Sequence, residues 1–312
     1  MSTGFGCDAF IPQSTGPRFL RHPIRETERF GVVGLVTQEH RDQISVLEAM
    51  DAASATAFAG ILPPREADSL GVRTRRVGGA SAIMAHRIDV LMFNRVIGLG
   101  VEEPARPEIL DELIAWYRET GTPRFFVQLA PGAEPSLLPE WLGSRGLFHY
   151  NNWVKLTRTT EEQPRIVTDL TVERIGAGRS HEFAAIVARG FGLPDATRPW
   201  ISATVGRPAW RHYLALDEGA PVAGGALYVE GTVGWLGFAA TDPAHRGRGA
   251  QSALLARRIA DAKTLGVKRL VVETAEDTTD RRAPSFHNLR RLGFELAYVR
   301  PNYLWKAEPV VA

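Results

Sequence analysis

The segment best suited to chemistry is Asp242-Pro-Ala-His-Arg246-Gly247-Arg248-Gly249-Ala250-Gln251-Ser252. Two glycines, one residue apart, stand between an apolar β-like run, Val233 to Ala239, and a segment whose Leu254, Leu255, Ile259 and Ala262 recur at helical spacing. In such a turn successive backbone N–H groups can face inward as an anion nest, and the helix N-terminus adds a partial positive charge. Gly247 and Gly249 allow close approach without a Cβ, and Arg246 and Arg248 add full charges. The ligand this predicts is a pyrophosphate. A P-loop would end Gly-Lys-Ser/Thr, and a dinucleotide fingerprint would need a third glycine and an acidic strand tip, so both are excluded. Taken in isolation, the same residues would make an ordinary strand-to-helix turn with two solvated arginines.

The surrounding elements decide between these readings. A strand Lys268 to Thr274, a helix Pro284 to Leu292, Gly293-Phe294 and two final strands, Glu295 to Arg300 and Tyr303 to Lys306, follow the helix that the turn opens. Ahead of it come a strand Thr171 to Ile175, a helix Ser180 to Arg189, a variable segment Gly192 to Pro208, and a hairpin of Trp210 to Leu216 with Val222 to Val229. This order, with Asp-Pro-x-x-Arg-Gly-x-Gly and a helix ending Leu-Gly-Phe, resembles the GNAT superfamily of acyl-CoA-dependent N-acetyltransferases over about residues 166 to 306. The family pattern is Gln/Arg-x-x-Gly-x-Gly/Ala. Arg246 and Gly249 match it, and Gln251 departs at the last small position.

The resemblance implies acetyl-CoA as co-substrate and a small-molecule amine as acceptor. Its pyrophosphate would sit on Arg246, Gly247, Arg248, Gly249, Ala250 and Gln251. The family's strand before the loop is splayed by a bulge and pairs with the pantetheine arm, which maps to the backbone of Ala239, Ala240 and Thr241. Ser285 and Asn288 would contact the arm, or else cap and cover the helix they stand on. Direct transfer needs a base for the amine, a donor for the oxyanion and an acid for the thiolate. The donor would be an N–H near Ala239 to Thr241. The strand from Thr232 to Thr241 has no glutamate, so Glu273 is the nearest base, unless it is an ion-paired strand-end carboxylate. The family's tyrosine position is Leu289, leaving Tyr298, Tyr303 or water as the acid, unless the thiolate leaves without help. A non-catalytic acyl-CoA-binding module and a protein-acetylating enzyme are the alternatives.

The first half repeats the order: a strand Val90 to Val101, a helix opened by Pro107 and ended at Gly121, a strand Arg124 to Leu129, a helix Ser136 to Arg145, then Gly146-Leu147-Phe148 and a strand through Trp153 to Leu156. From strand-end proline to helix-end glycine the second copy spans 243 to 266 and the first only 104 to 121, which reads as six residues of glycine-rich loop lost. The expected fold is therefore α/β of the mixed α+β kind. Two GNAT-like domains, each a mixed, mostly antiparallel sheet flanked by helices, would occupy residues 30–158, without a phosphate loop, and 166–312, catalytic. Thr157 to Arg165 would link them, and residues 1–29 would be poorly ordered.

Composition fits a soluble globular chain of 312 residues, with 44% hydrophobic and 23% charged residues. Lys plus Arg number 37 against 35 Asp plus Glu, a net charge of +2 that leaves no footprint for nucleic acid. The lone cysteine, Cys7, permits no internal disulfide, and no ligand spacing suggests a metal. The absence of a signal-like start or a long apolar run points to the cytoplasm without a membrane partner. A homodimer is left open.

Overall fold

The computed structural model describes residues 37–307. The expectations for residues 1–29 and for Cys7 lie outside them. The first half contains α1 (Gln38–Ala59), α2 (Pro64–Leu70), β1 (Val72–Val77), β2 (Ala80–Ala85), β3 (Arg95–Ile97), α3 (Pro107–Glu119), β4 (Arg124–Gln128), α4 (Leu138–Ser144) and β5 (Phe148–Thr159). The second contains β6 (Thr171–Ile175), α5 (Ser180–Phe191), α6 (Arg198–Ala203), β7 (Trp210–Asp217), β8 (Ala220–Glu230), β9 (Val233–Thr241), α7 (Ala250–Thr264), β10 (Arg269–Ala275), α8 (Pro284–Arg291) and β11 (Glu295–Lys306).

Local chemistry accounts for the best-defined helices. Pro107 opens α3 at a position where no helical N–H is lost, and Ile109, Leu110, Leu113, Ile114 and Tyr117 form its buried stripe. α5 buries Phe183, Ala184, Ile186 and Val187 and ends on Gly192, whose left-handed conformation (φ +63°) lets the chain turn away.

All strands join one eleven-stranded sheet in the order β1-β2-β3-β4-β11-β5-β10-β9-β8-β7-β6. β11, from the second half, lies between β4 and β5, and β5, from the first, lies between β11 and β10. Each half thus completes its sheet with the other's last strand. Pairing is antiparallel except at β3–β4 and β9–β10, the two places where a helix crosses over between neighbouring strands. Alternation along the strands divides the core. Leu227 and Leu236 face α7 and α8, while Ala226, Tyr228 and Phe238 face α1, α5 and α6. In the first half Ala82 and Met84 face α3 and α4.

Three expectations change. The two final strands are one continuous β11; Pro301 stays in it, its carbonyl accepting from Leu129 N at 3.0 Å, and the irregularities are register shifts against β5 between Leu296 and Tyr298 and between Asn302 and Tyr303. The long strand Val90 to Val101 contracts to β3. Buried Asn94 bonds its side chain to the carbonyls of Ile88 and Val90 at 2.9 and 3.2 Å, and fixes a turn where the apolar pattern suggested extended chain. Lastly, α1 crosses the middle of the sheet although no helix was expected there, because its buried face mixes Leu47, Met50 and Phe58 with Glu48, Asp51 and Ser54. No single helix of the described residues is long and apolar enough to cross a membrane.

Candidate active site

The site begins where two parallel strands part. β9 and β10 pair from Val233↔Arg269 to Leu236↔Val272, and no pair follows, although β9 continues to Thr241 and β10 to Ala275. On its other edge β9 is bulged. Ala226 pairs with Gly237 and Gly224 with Ala240, so Phe238 and Ala239 oppose the single residue Gly225. Phe238 takes φ +52°, a costly conformation for a bulky side chain. It is held there by ring packing on Phe58, Trp210 and Trp235 at 5.2, 5.9 and 5.9 Å. Ala239 is exposed, whereas Ala240 is buried, and a Cβ on Gly190 of α5 would come 2.5 Å from the Ala240 Cβ. The small residue at 240 is therefore a packing requirement, and the backbone from Gly237 to Thr241 runs beyond the reach of β10.

The turn past this strand has the form an anion nest requires. The Asp242 carboxylate accepts from Ala244 N at 3.0 Å and starts a single 3₁₀ turn, Pro243–His245. Gly247 and Gly249 both lie in the left-handed region (φ +82° and +79°), and Gly249 caps α7. A Cβ on Gly247 would point into open space. The first N–H groups of α7, from Ala250 and Gln251 onward, have no partner within the helix and are available to an anion. Thr168 Oγ1 donates to Arg248 O at 2.8 Å, and Gln251 Nε2 donates to Thr241 Oγ1 at 2.8 Å, so the turn is tied at both ends to its neighbours. Gln251 thus fills its departure from the family pattern with a useful bond to β9.

Arg246 is exposed at the turn, but Arg248 is committed elsewhere. Its guanidinium pairs with Asp217, one bond of 2.9 Å, and with Asp169, and these pairs hold both carboxyls below their usual range. Its side chain is a brace for the loop, which corrects the expectation of a charge presented to phosphate; its backbone N–H stays in the turn. On α8, Ser285 is exposed and Asn288 half-buried, the latter accepting from Arg291 of the same helix. Leu289 packs in the core under α7 and α8. His245 stands 3.6 Å from Asp217, and His287 is 3.0 Å from Asp277.

Glu273 and Tyr298 occupy a different setting from a proton-transfer pair. Glu273 is 10% exposed at its side chain and pairs with Lys155 at 3.0 Å, Arg95 at 3.2 Å and Arg300. Arg300 also binds Glu48 and Asp51 of α1 at 3.0 and 2.9 Å, and Lys155 binds Asp51 at 2.8 Å. Tyr298 donates to Glu48 at 2.6 Å, and burial together with that carboxylate pushes its phenol well above 10. Three carboxylates and three cations balance in this cluster. Glu273 is thus shared by three cations, and the Tyr298 phenol, bonded to Glu48 and so raised, is a poor acid. Sequence reasoning missed Glu48, Asp51, Arg95, Lys155 and Arg300 as a group, because they come from four separate elements. Glu276, directly after β10, is half-buried, accepts from Asn152 Nδ2 at 2.7 Å and forms no ion pair among the described residues.

The corresponding turn of the first half is not shorter. Nine residues, 98–106, separate β3 from α3, against eight, 242–249, between β9 and α7. The count from Pro104 to Gly121 misled because that proline stands later in its loop. What differs is closure. Gly100 O accepts from Glu134 N at 2.8 Å, Ala105 N donates to Glu134 O at 2.8 Å, and a Cβ on Gly100 would lie 2.5 Å from that carbonyl. The remaining cavity, about 150 Å³, is lined by Glu102, Glu103 and Glu134 with one arginine, Arg41, which pairs with Glu134. Such a site repels a polyanion. Among the described residues no cluster of His, Cys, Asp and Glu could hold a metal ion.

Comparison with known proteins agrees with this geometry. Residues 181–294 match the model of the acetyltransferase (GNAT) family. A search of curated protein sequences finds no match. Among solved structures, a GCN5-related N-acetyltransferase from Kribbella flavida superposes with a TM-score of 0.58 at 19% identity, covering 83% of this chain and 96% of that one. A tandem GNAT protein from the clavulanic acid biosynthesis pathway gives 0.56 at 16% identity, covering 87% and 96%. A GCN5-related N-acetyltransferase from Sphaerobacter thermophilus gives 0.55 at 17%, covering 74% and 77%. The splayed and bulged strand, the glycine turn and the α7 N-terminus all fall within residues 181–294, the part of the chain that matches the acetyltransferase (GNAT) family model.

Proposed function

We propose that the second half transfers an acetyl group from acetyl-CoA to the amine of a small molecule, and that the first half binds no CoA of its own. The observation that carries the reading is the end of β9–β10 pairing at Leu236 and Val272, with the bulge just above and the Gly247–Gly249 turn beyond it. The turn and the first N–H groups of α7 suit a pyrophosphate. The backbone of Gly237 to Thr241 suits the amide-rich pantetheine arm, as a sheet edge suits a peptide. In the transfer the amine nitrogen bonds to the thioester carbon, the C–S bond breaks, and the amine proton leaves as the thiolate departs. Glu276, clear of the ion cluster, is the carboxylate we assign to receive that proton, in place of Glu273.

A second reading has one observation in its favour. With Leu289 in the core and Tyr298 bonded to Glu48, neither position supplies an acid, which suits a module that binds acyl-CoA without turning it over. Release of CoA thiol from acetyl-CoA across a panel of amines, amino acids, polyamines and aminoglycosides separates the two. Amine-dependent release, abolished in Gly249→Trp, is the expected result. Stabilisation by acetyl-CoA without release by any amine would favour the binding module, and neither effect would overturn the cofactor assignment.

A further inference from the structure

Arg258 stands in the middle of α7, is 1% exposed, and forms no ion pair with a carboxylate among the described residues. Its Nε donates to Leu254 O and its Nη1 to Ala226 O, both at 3.1 Å, while Nη2 is buried with no acceptor among the described residues. The guanidinium lies against Gly225: a Cβ there would come 2.8 Å from Cζ and about as close to both terminal nitrogens. Gly225 is the β8 residue that faces the bulge of β9.

The position is level with the site. Arg258 is nine residues past Gly249, about 13 Å back along the helix. Phe238 and Ala239 are three to four residues before Asp242, roughly 10 to 13 Å back along the strand. Burial lowers this guanidinium to about 10, so it remains charged at neutral pH. A buried cation without a counter-ion is costly, whereas a methionine would fill the same volume without that cost. Stability alone gives no reason for an arginine here.

We propose that Arg258 is a positioning residue that braces the bulge of β9 from the α7 side, keeping Gly237 to Thr241 parted from β10 for the acyl-pantetheine arm. A bulge is lost when one strand slips a residue past the other. The bond to Ala226 and the guanidinium plane on Gly225 hold β8 against that slip. The inference rests on the acetyl-CoA reading above.

Calorimetric titration with two probes tests it: ADP, which engages only the glycine turn, and acetyl-CoA, which also needs the parted strands. In Arg258→Met, ADP should bind within about twofold of wild type, acetyl-CoA at least tenfold more weakly, and the thermal midpoint should hold or rise. Gly225→Ala, which displaces the guanidinium, should show the same selective loss, and combining the two changes should add nothing further. Unchanged acetyl-CoA affinity in both variants overturns the proposal, as does equal weakening of both ligands. An Arg258→Met chain that fails to fold, or melts lower with its affinity intact, assigns the residue to stability alone and also overturns it. A wild-type chain that binds neither probe sinks the cofactor reading itself, an outcome distinct from failure in the variants alone.

Discussion

At the scale of single residues, His212 shows how burial of one ring links stability to pH. Thr204 gives its hydroxyl proton to Ile201 O at 2.7 Å, so the 2.8 Å contact to His212 must be donated by Nε2. Nδ1 is then buried as a bare lone pair, without a partner among the described residues. Burial lowers the imidazole to about 3. Below pH 6.5 the unfolded chain takes up a proton that the folded chain refuses, so the contribution is complete above 6.5 and lost as pH falls toward 3. Denaturant titration should show about 2 kcal/mol lost between pH 6.5 and 5 from this ring, and His212→Phe should lack that component. Leu289 gives a second prediction. Restoring the family's tyrosine there should overpack a closed core, costing about 1–3 kcal/mol in a thermal melt, without raising turnover. The glycine turn was legible from the residues because its chemistry is local. The roles of Glu273, Tyr298 and Arg248 were not, since each depends on partners far away in the chain: Glu48 is 250 positions from Tyr298, and Asp169 is 79 from Arg248.

At the scale of elements, the bulged strand is held from both faces, and the α5 side can be tested directly. Gly190→Ala would gain up to about 1 kcal/mol in helix propensity. Its Cβ would lie 2.5 Å from that of Ala240, however, and neither main chain has a flexible side chain to yield. Overpacking of that kind costs about 1–3 kcal/mol and should win. The variant should melt lower, and its acetyl-CoA affinity should fall as β9 is pushed away from α5, measured in the same titration. Elements with strong periodicity were readable at their full extent: α7 is predicted from Ala250 to Thr264 and found there, as is β6 from Thr171 to Ile175. Where polar side chains were recruited into the interior the pattern failed, in α1 through Glu48 and Asp51 and before β3 through Asn94.

At the scale of the whole molecule, the exchange of β5 and β11 joins the two halves more closely than a linker between Thr157 and Arg165 suggested. β10, one wall of the parted site, is paired along its full length, Arg269 to Ala275, with a strand of the first half. The ion cluster then fastens α1 over that junction, with Asp51 bonded to Lys155 of β5 and Arg300 of β11. Burial by itself would raise the Asp51 carboxyl, but Lys155, Arg95 and Arg300 outweigh it and hold the group far below its usual range. Asp51→Asn would leave three buried cations against two carboxylates, and removing one member of such a set costs about 3–5 kcal/mol. In a chain of this size that should lower the melting midpoint by roughly 5–8 °C. Since neither half has a complete sheet without the other, calorimetry should record one transition in both wild type and variant. Adding Lys155→Met to Asp51→Asn restores two cations against two carboxylates, so the pair should cost less than the sum of the single changes. Two separate transitions, with only the first half shifted by Asp51→Asn, would show that the halves fold independently and that the exchanged strands do not couple them.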